Sequence, residues 1–118
     1  MPDTSPHLKK FEKELAAGTV SLVLLAALAA AREPLYGYQI AKRLEHDAGG
    51  VLLGKQSALY PVLRSLSAAE LLDTFTQPSA AGPPRRYYRI TPLGKKVLRQ
   101  WIDAWDATRR YVDSILKD

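Results

Sequence analysis

The stretch "GKQSALYPVLRSL", Gly54 to Leu66, decides the fold. Leu59, Leu63 and Leu66 recur at helical spacing with Val62 beside them, so one side of this helix is built to pack on a core. Its first turn is different in kind. Lys55, Gln56, Ser57 and Tyr60 crowd hydrogen-bonding groups there, and Pro61 follows. A recognition helix needs this division: leucines buried on one side, and donors and acceptors at the end that enters the major groove of DNA. Gln pairs bidentately with adenine, Ser serves base or phosphate, and Arg suits guanine or phosphate. Gln56, Ser57 and Arg64 therefore become candidate base or phosphate contacts, with Lys55 and Tyr60 beside them. Pro61 costs little near a helix start, where backbone N–H groups lack partners anyway.

The flanking segments fit a winged helix-turn-helix. Tyr36 to Ala48 reads as a helix with Ile40, Ala41 and Leu44 inward and Lys42, Arg43 and Glu45 outward, ended by Gly49-Gly50. The quoted helix is expected to run to about Glu70. Beyond it the period changes from helical to alternating. "LLDTFT" and "RRYYRIT" read as two strands, and the turn-rich "QPSAAGPP" between them forms the tip of a hairpin, the wing. Arg85 and Arg86 open the second strand beside a tip with no acidic residue, placed to reach the adjacent minor groove or its phosphates. Tyr88 and Ile90 should pack inward, with Tyr87 and Arg89 on the other face. Tyr38 and Tyr88 are read first as core residues. Tyr38 also stays a DNA-contact candidate, because a phenol at a helix N-terminus can hold a phosphate.

Ahead of these elements, "SPHLKKFEKELAAG" reads as a first helix capped by Ser5 and stopped by Gly18, with a narrow stripe of Leu8, Phe11 and Leu15 suited to another surface. "GTVSLVLLAALAAA" reads as a separate buried helix, shorter than the roughly 20 residues a membrane span needs, so no membrane partner is expected. Thr91-Pro92 is a cap followed by proline and opens the last helix. The domain expectation is a helix over residues 1–18, a DNA-binding unit over 19–91 and a dimerisation helix over 92–118. The fold class is mostly α with a small β-hairpin.

The last helix carries a heptad-like seam of Leu98, Trp101, Trp105, Thr108, Val112 and Ile115, widened by Val97, Ile102, Ala104, Tyr111 and Leu116. So wide an apolar surface calls for a partner, and a homodimer is the expectation, with Leu98, Trp101, Ile102, Trp105, Val112 and Ile115 at its centre. Trp101 and Trp105 lie one turn apart and are candidate walls of an aromatic effector pocket between subunits.

Composition narrows the rest. The chain has 118 residues, a quarter of them charged and nearly half apolar, enough for one domain with a modest core. The absence of cysteine excludes disulfides, thiolate metal sites and a cysteine nucleophile. His7 and His46 show no metal-ligand spacing, so neither a metal nor a cofactor is expected. Net charge is +5, and the excess begins at the quoted helix, since the preceding half is balanced. That distribution favours a polyanionic partner. No glycine-rich phosphate loop, carboxylate pair with a histidine, or nucleophile motif supports an enzyme. The competing readings are a winged-helix module for RNA and a protein-interaction module without operator specificity.

Three blocks, "LYGYQIAKRLE" (Leu35 to Glu45), "SALYPVLRSL" (Ser57 to Leu66) and "RRYYRITPLGKKVL" (Arg85 to Leu98), resemble the signature blocks of PadR-type transcriptional regulators, in the family order. The likeness runs from about Thr19 to Trp105, and the length resembles the short-tailed subgroup with one C-terminal helix. The resemblance implies a dimeric winged-helix protein that binds inverted-repeat operators, usually as a repressor, often relieved by a small aromatic or hydrophobic effector. A cytoplasmic protein is expected from the reading of a buried helix in place of a membrane span or signal peptide. One position departs from the family pattern. Where a glycine commonly follows the recognition helix, "AAELL" has Glu70, so the helix is expected to run on or to end without a left-handed glycine cap.

Overall fold

The computed structural model describes residues 2–48 and 59–117. Its order is α1 (Ser5–Ala30), β1 (Leu35–Tyr36), α2 (Gly37–Ala48), α3 (Leu59–Ala68), β2 (Leu72–Gln77), β3 (Arg85–Ile90) and α4 (Pro92–Leu116). The three strands form one antiparallel sheet in the order β1-β3-β2. The short strand β1 is an addition to the expected hairpin. Two residues, Leu35 and Tyr36, pair with Tyr88 and Tyr87, and so short a strand leaves no periodicity in the sequence.

The expected break at Gly18 does not occur. A single helix of 26 residues replaces the two short ones. Glycine inside a helix costs only about 1 kcal/mol relative to alanine. Leu15, Ala16 and Ala17 before it favour helix, and burial of Val20, Leu24 and Leu25 holds the turns after it. The Thr19 hydroxyl bonds back to the Leu15 carbonyl at 2.9 Å, one turn below. Thr4, not Ser5, flanks the helix start, where the Ser5 N–H donates to Asp3 Oδ1 at 3.0 Å. That hydrogen bond also holds the Asp3 carboxyl below its ordinary pKa. The continuous helix is long and apolar enough to cross a bilayer by length and composition, unlike the short segment expected. Its C-terminal half is instead the central core helix, with Leu24 and Leu25 fully enclosed and Val20 and Leu28 beside them.

Around that helix the core closes as its spacing dictates. Ile40, Ala41 and Leu44 enter from α2, Leu59, Leu63 and Leu66 from α3, and Leu72, Tyr88 and Ile90 from the sheet. Burial of a leucine-sized side chain contributes roughly 1.5–3 kcal/mol, so these three faces account for the packing of α2, α3 and the wing on α1.

Two junctions fix the angle of the wing. The first ends α3. Glu70 takes φ 63°, the left-handed region, and the Leu71 and Glu70 N–H groups donate to the Leu66 and Ser67 carbonyls, each at 3.0 Å. This is a Schellman-type ending with glutamate where glycine is usual. The helix thus does not run on to Glu70 but ends at Ala68 without a glycine cap, and Glu70 itself takes the left-handed position. The second junction starts α4. Thr91 Oγ1 accepts from the Gly94 N–H at 2.9 Å and donates to the Glu70 carbonyl at 2.8 Å, while the Thr91 N–H donates to the Leu71 carbonyl at 3.1 Å. One buried threonine therefore binds the end of α3 to the start of α4. Gly94 lies against the Leu71 carbonyl so closely that a Cβ would collide with it.

Candidate nucleic-acid interface

α2, α3 and the wing meet at a groove of about 460 Å³. Tyr36, Gly37 and Tyr38 bring it the N-terminus of α2, Tyr60 the first described turn of α3, and Arg85, Arg86 and Tyr88 the wing strand. Ser79, Ala81, Pro83 and Pro84 of the wing tip complete it, and no acidic side chain is among the described residues that line it.

Local chemistry explains each placement. Gln39 Oε1 accepts from the Tyr36 N–H at 3.1 Å, half of a capping box, which turns the chain sharply from β1 into α2. Gly37 has no side chain because the Tyr60 ring occupies its place. A Cβ there would stand 2.7 Å from Tyr60 Cε1. Tyr88 closes the floor at 4% exposure. Burial raises its phenol above the ordinary pKa against the pull of the Arg86 guanidinium, with smaller contributions from Tyr60 and Arg64. Tyr60 of α3 and Arg86 of the wing border the same groove as this buried ring.

The expected contact residues separate clearly. Tyr60, Arg85, Arg86 and Tyr38 converge on the groove. Arg64 is exposed on α3 and is not among the side chains that line the groove. Tyr38 is 52% exposed, which corrects its reading as a core residue, and Lys42 Nζ lies 5.6 Å from its ring centre. It stays at the surface because the Tyr60 ring already fills the space over Gly37. Lys55, Gln56 and Ser57 lie outside the described residues, as do Gly49 and Gly50. Sequence reasoning missed Tyr36 as a strand residue and Gly37 as the seat of Tyr60. The paired tyrosines around one glycine in "LYGY" were the available signal.

On the outer face of the sheet a row of side chains crosses all three strands. Arg85 lies 4.4 Å over the Tyr36 ring, Tyr36 meets Tyr87 edge-on at 5.4 Å, and Tyr87 stacks on Phe75 at 5.6 Å. Arg89 ends the row over Phe75 at 5.8 Å, with Asp73 at 3.7 Å.

α1 and α4 carry exposed apolar side chains of their own. Leu98, expected on the seam, is 7% exposed and belongs to the chain's own core, with Trp101 half-buried against it. The wing-to-helix junction turns this first part of α4 inward. Ile102, Trp105, Val112 and Ile115 remain exposed, as do Leu8, Phe11 and Leu15 on α1. Trp101 and Trp105 line a groove of about 540 Å³ between α1 and α4 of the same chain, with Leu15, Gly18 and Leu22 opposite. Among the described residues no group of three or more His, Asp or Glu side chains is placed to hold a metal.

A helical pair, a leucine-backed helix and a three-stranded wing with a basic, aromatic groove between them define a winged helix-turn-helix DNA-binding protein. The Transcriptional regulator PadR-like family matches residues 24–100, and the chain belongs to that family. It is similar to a PadR family transcriptional regulator of Eggerthella lenta, at 31% identity and a TM-score of 0.79, covering 95% of this chain and 94% of that one. A PadR-like transcription factor of Bacteroides fragilis is similar at 26% identity and a TM-score of 0.70, covering 90% and 98%. An uncharacterised protein of Lysinibacillus sphaericus is 28% identical over 82 residues, 70% of this chain and 75% of that one.

Proposed function

We propose that this PadR-family regulator is a cytoplasmic dimeric repressor, not an enzyme, that binds an inverted-repeat operator. The observation that carries the reading is the groove in which Tyr38, Tyr60, Arg85 and Arg86 converge from three elements without an acidic neighbour among the described residues. In this assignment residues 19–91 bind DNA. The exposed turn of α3 and its preceding residues Lys55, Gln56 and Ser57 enter the major groove, Arg64 reads a base or phosphate, and Tyr38 and the wing arginines hold backbone phosphates.

Residues 92–118 pair two copies through the seam of Trp101, Ile102, Trp105, Val112 and Ile115, with the α1 stripe adding to it. Leu98 backs the seam from the core. Two such subunits present recognition helices to half-sites about one helical turn apart. A planar aromatic effector fits the groove at Trp101 and Trp105, where stacking on indole adds roughly 0.5–1.5 kcal/mol per ring pair. It would release DNA only by favouring the unbound spacing of the wings. The Thr91 junction offers the route, since a tilt of α4 moves the same hydrogen bonds that hold the wing.

The test is the Arg85→Ala, Arg86→Ala double variant against duplex DNA at several salt concentrations. Affinity should fall across sequences, and the slope of log affinity against log salt should flatten by about one to two units for each wing, so by up to about four for the dimer. Wild-type affinity and slope in the double variant would refute the wing assignment.

A further inference from the structure

The geometry points to Tyr36 as the positioning residue of the wing: its ring holds the Arg85 guanidinium at the border of the groove, on the outer face of the sheet, while leaving its charge free for a phosphate. The inference rests on the DNA-binding reading above and adds a residue to it.

The two ends of the aromatic row make the argument. Arg85 and Arg89 lie on the same face of β3, and each guanidinium sits over an aromatic ring. Arg89 also has the Asp73 carboxylate at 3.7 Å, so its charge is partly answered within the chain. Among the described residues Arg85 has no carboxylate within salt-bridge distance, and its ring contact is the closer of the two at 4.4 Å. A ring face attracts a guanidinium without neutralising it, and it leaves the N–H donors around the edge of the fork unspent. A carboxylate would do the opposite.

Tyr36 is itself held firmly. It pairs with Tyr87 in the sheet, meets that ring edge-on at 5.4 Å, and its N–H is taken by Gln39. The Arg85 side chain is therefore ordered before DNA arrives, and the ordering need not occur during binding. Because Tyr36 also begins the turn into α2, the same ring ties the wing arginine to the helix that carries Tyr38. Arg85 and Tyr38 both border the groove, so their spacing toward a phosphate backbone is set by the fold.

The experiment is a double-variant cycle on the full chain, read by binding to a mixed-sequence DNA duplex at low salt, with thermal melts to confirm folding. Tyr36→Leu should weaken binding about two- to fivefold, the size of an exposed cation–π contact. In the Arg85→Ala background the same change should cost nothing further, and Tyr36→Phe should bind like wild type. An equal loss from Tyr36→Leu in both backgrounds would overturn the positioning role and leave the DNA reading standing. Equal binding by wild type and Arg85→Ala would instead overturn the wing contact itself. A readout without variants or DNA is the Arg85 Nε–Hε resonance of the wild type. It should be shifted upfield by the Tyr36 ring, and an ordinary solvent value would contradict the inference.

Discussion

The wing end of the molecule and the helical end solve opposite problems. At the wing, polar and aromatic groups are matched within the chain: Thr91 holds two carbonyls and an N–H, Tyr60 fills the space of Gly37, and three strands carry one continuous aromatic row. At the helical end, Phe11, Val112, Ile115 and Leu116 stand in water. Arg109 and Arg110 are paired with Asp106 and Asp113 along α4, so the charges there are spent locally and the apolar stripe is left over. The wing end keeps unanswered charge and the helical end keeps unanswered apolar surface. The first suits a polyanion and the second suits another apolar face.

The largest expected effect tests how rigidly the wing end is built. Gly94→Ala drives a methyl into the Leu71 carbonyl and the Ile90 side chain, and overpacking of this kind costs about 3 kcal/mol. Chemical denaturation should show that loss. A near-neutral result would mean the Thr91 junction yields, and the wing would then not be fixed relative to α4.

An intermediate effect tests the other end. Val112→Glu with Ile115→Glu changes only exposed positions, so the fold of each chain should stay within about 0.5 kcal/mol. Assembly should nevertheless be lost. Sedimentation at tens of micromolar should give a dimer for the wild type and a monomer for the variant, and a monomeric wild type would remove the basis for two half-sites.

The smallest effect sharpens the comparison at its hinge. Glu70 holds a left-handed φ of 63°, a conformation that costs a side-chain-bearing residue about 1–2 kcal/mol. Glu70→Gly should relieve it, offset by the greater freedom glycine has in the unfolded chain, for a net gain of about 0.5–1 kcal/mol. A loss in the thermal melt would show that the glutamate is held by more than the cap.

These cases also show what the sequence disclosed. The faces of α2, α3 and β3 were legible because burial follows a period: Ile40 and Leu44, Leu59 and Leu63, Tyr88 and Ile90 all lie where spacing puts them. The α4 cap was legible in Thr91-Pro92 for the same local reason. What failed to show was nonlocal. Gly18 looked like a stop because a glycine's cost is local, while the packing that carries α1 through it is not. Tyr38 looked like core because nothing nearby says that Tyr60 fills the inner space over Gly37. Leu98 shares its spacing with the seam and differs only in the direction from which the core approaches.

The most direct test of the central claim is selection of bound sites from random duplex DNA with the full-length chain, followed by affinity against salt. An enriched inverted repeat with half-site centres about one helical turn apart is expected, with affinity that falls steeply as salt rises. No enriched repeat, together with salt-independent or absent duplex binding, would contradict it.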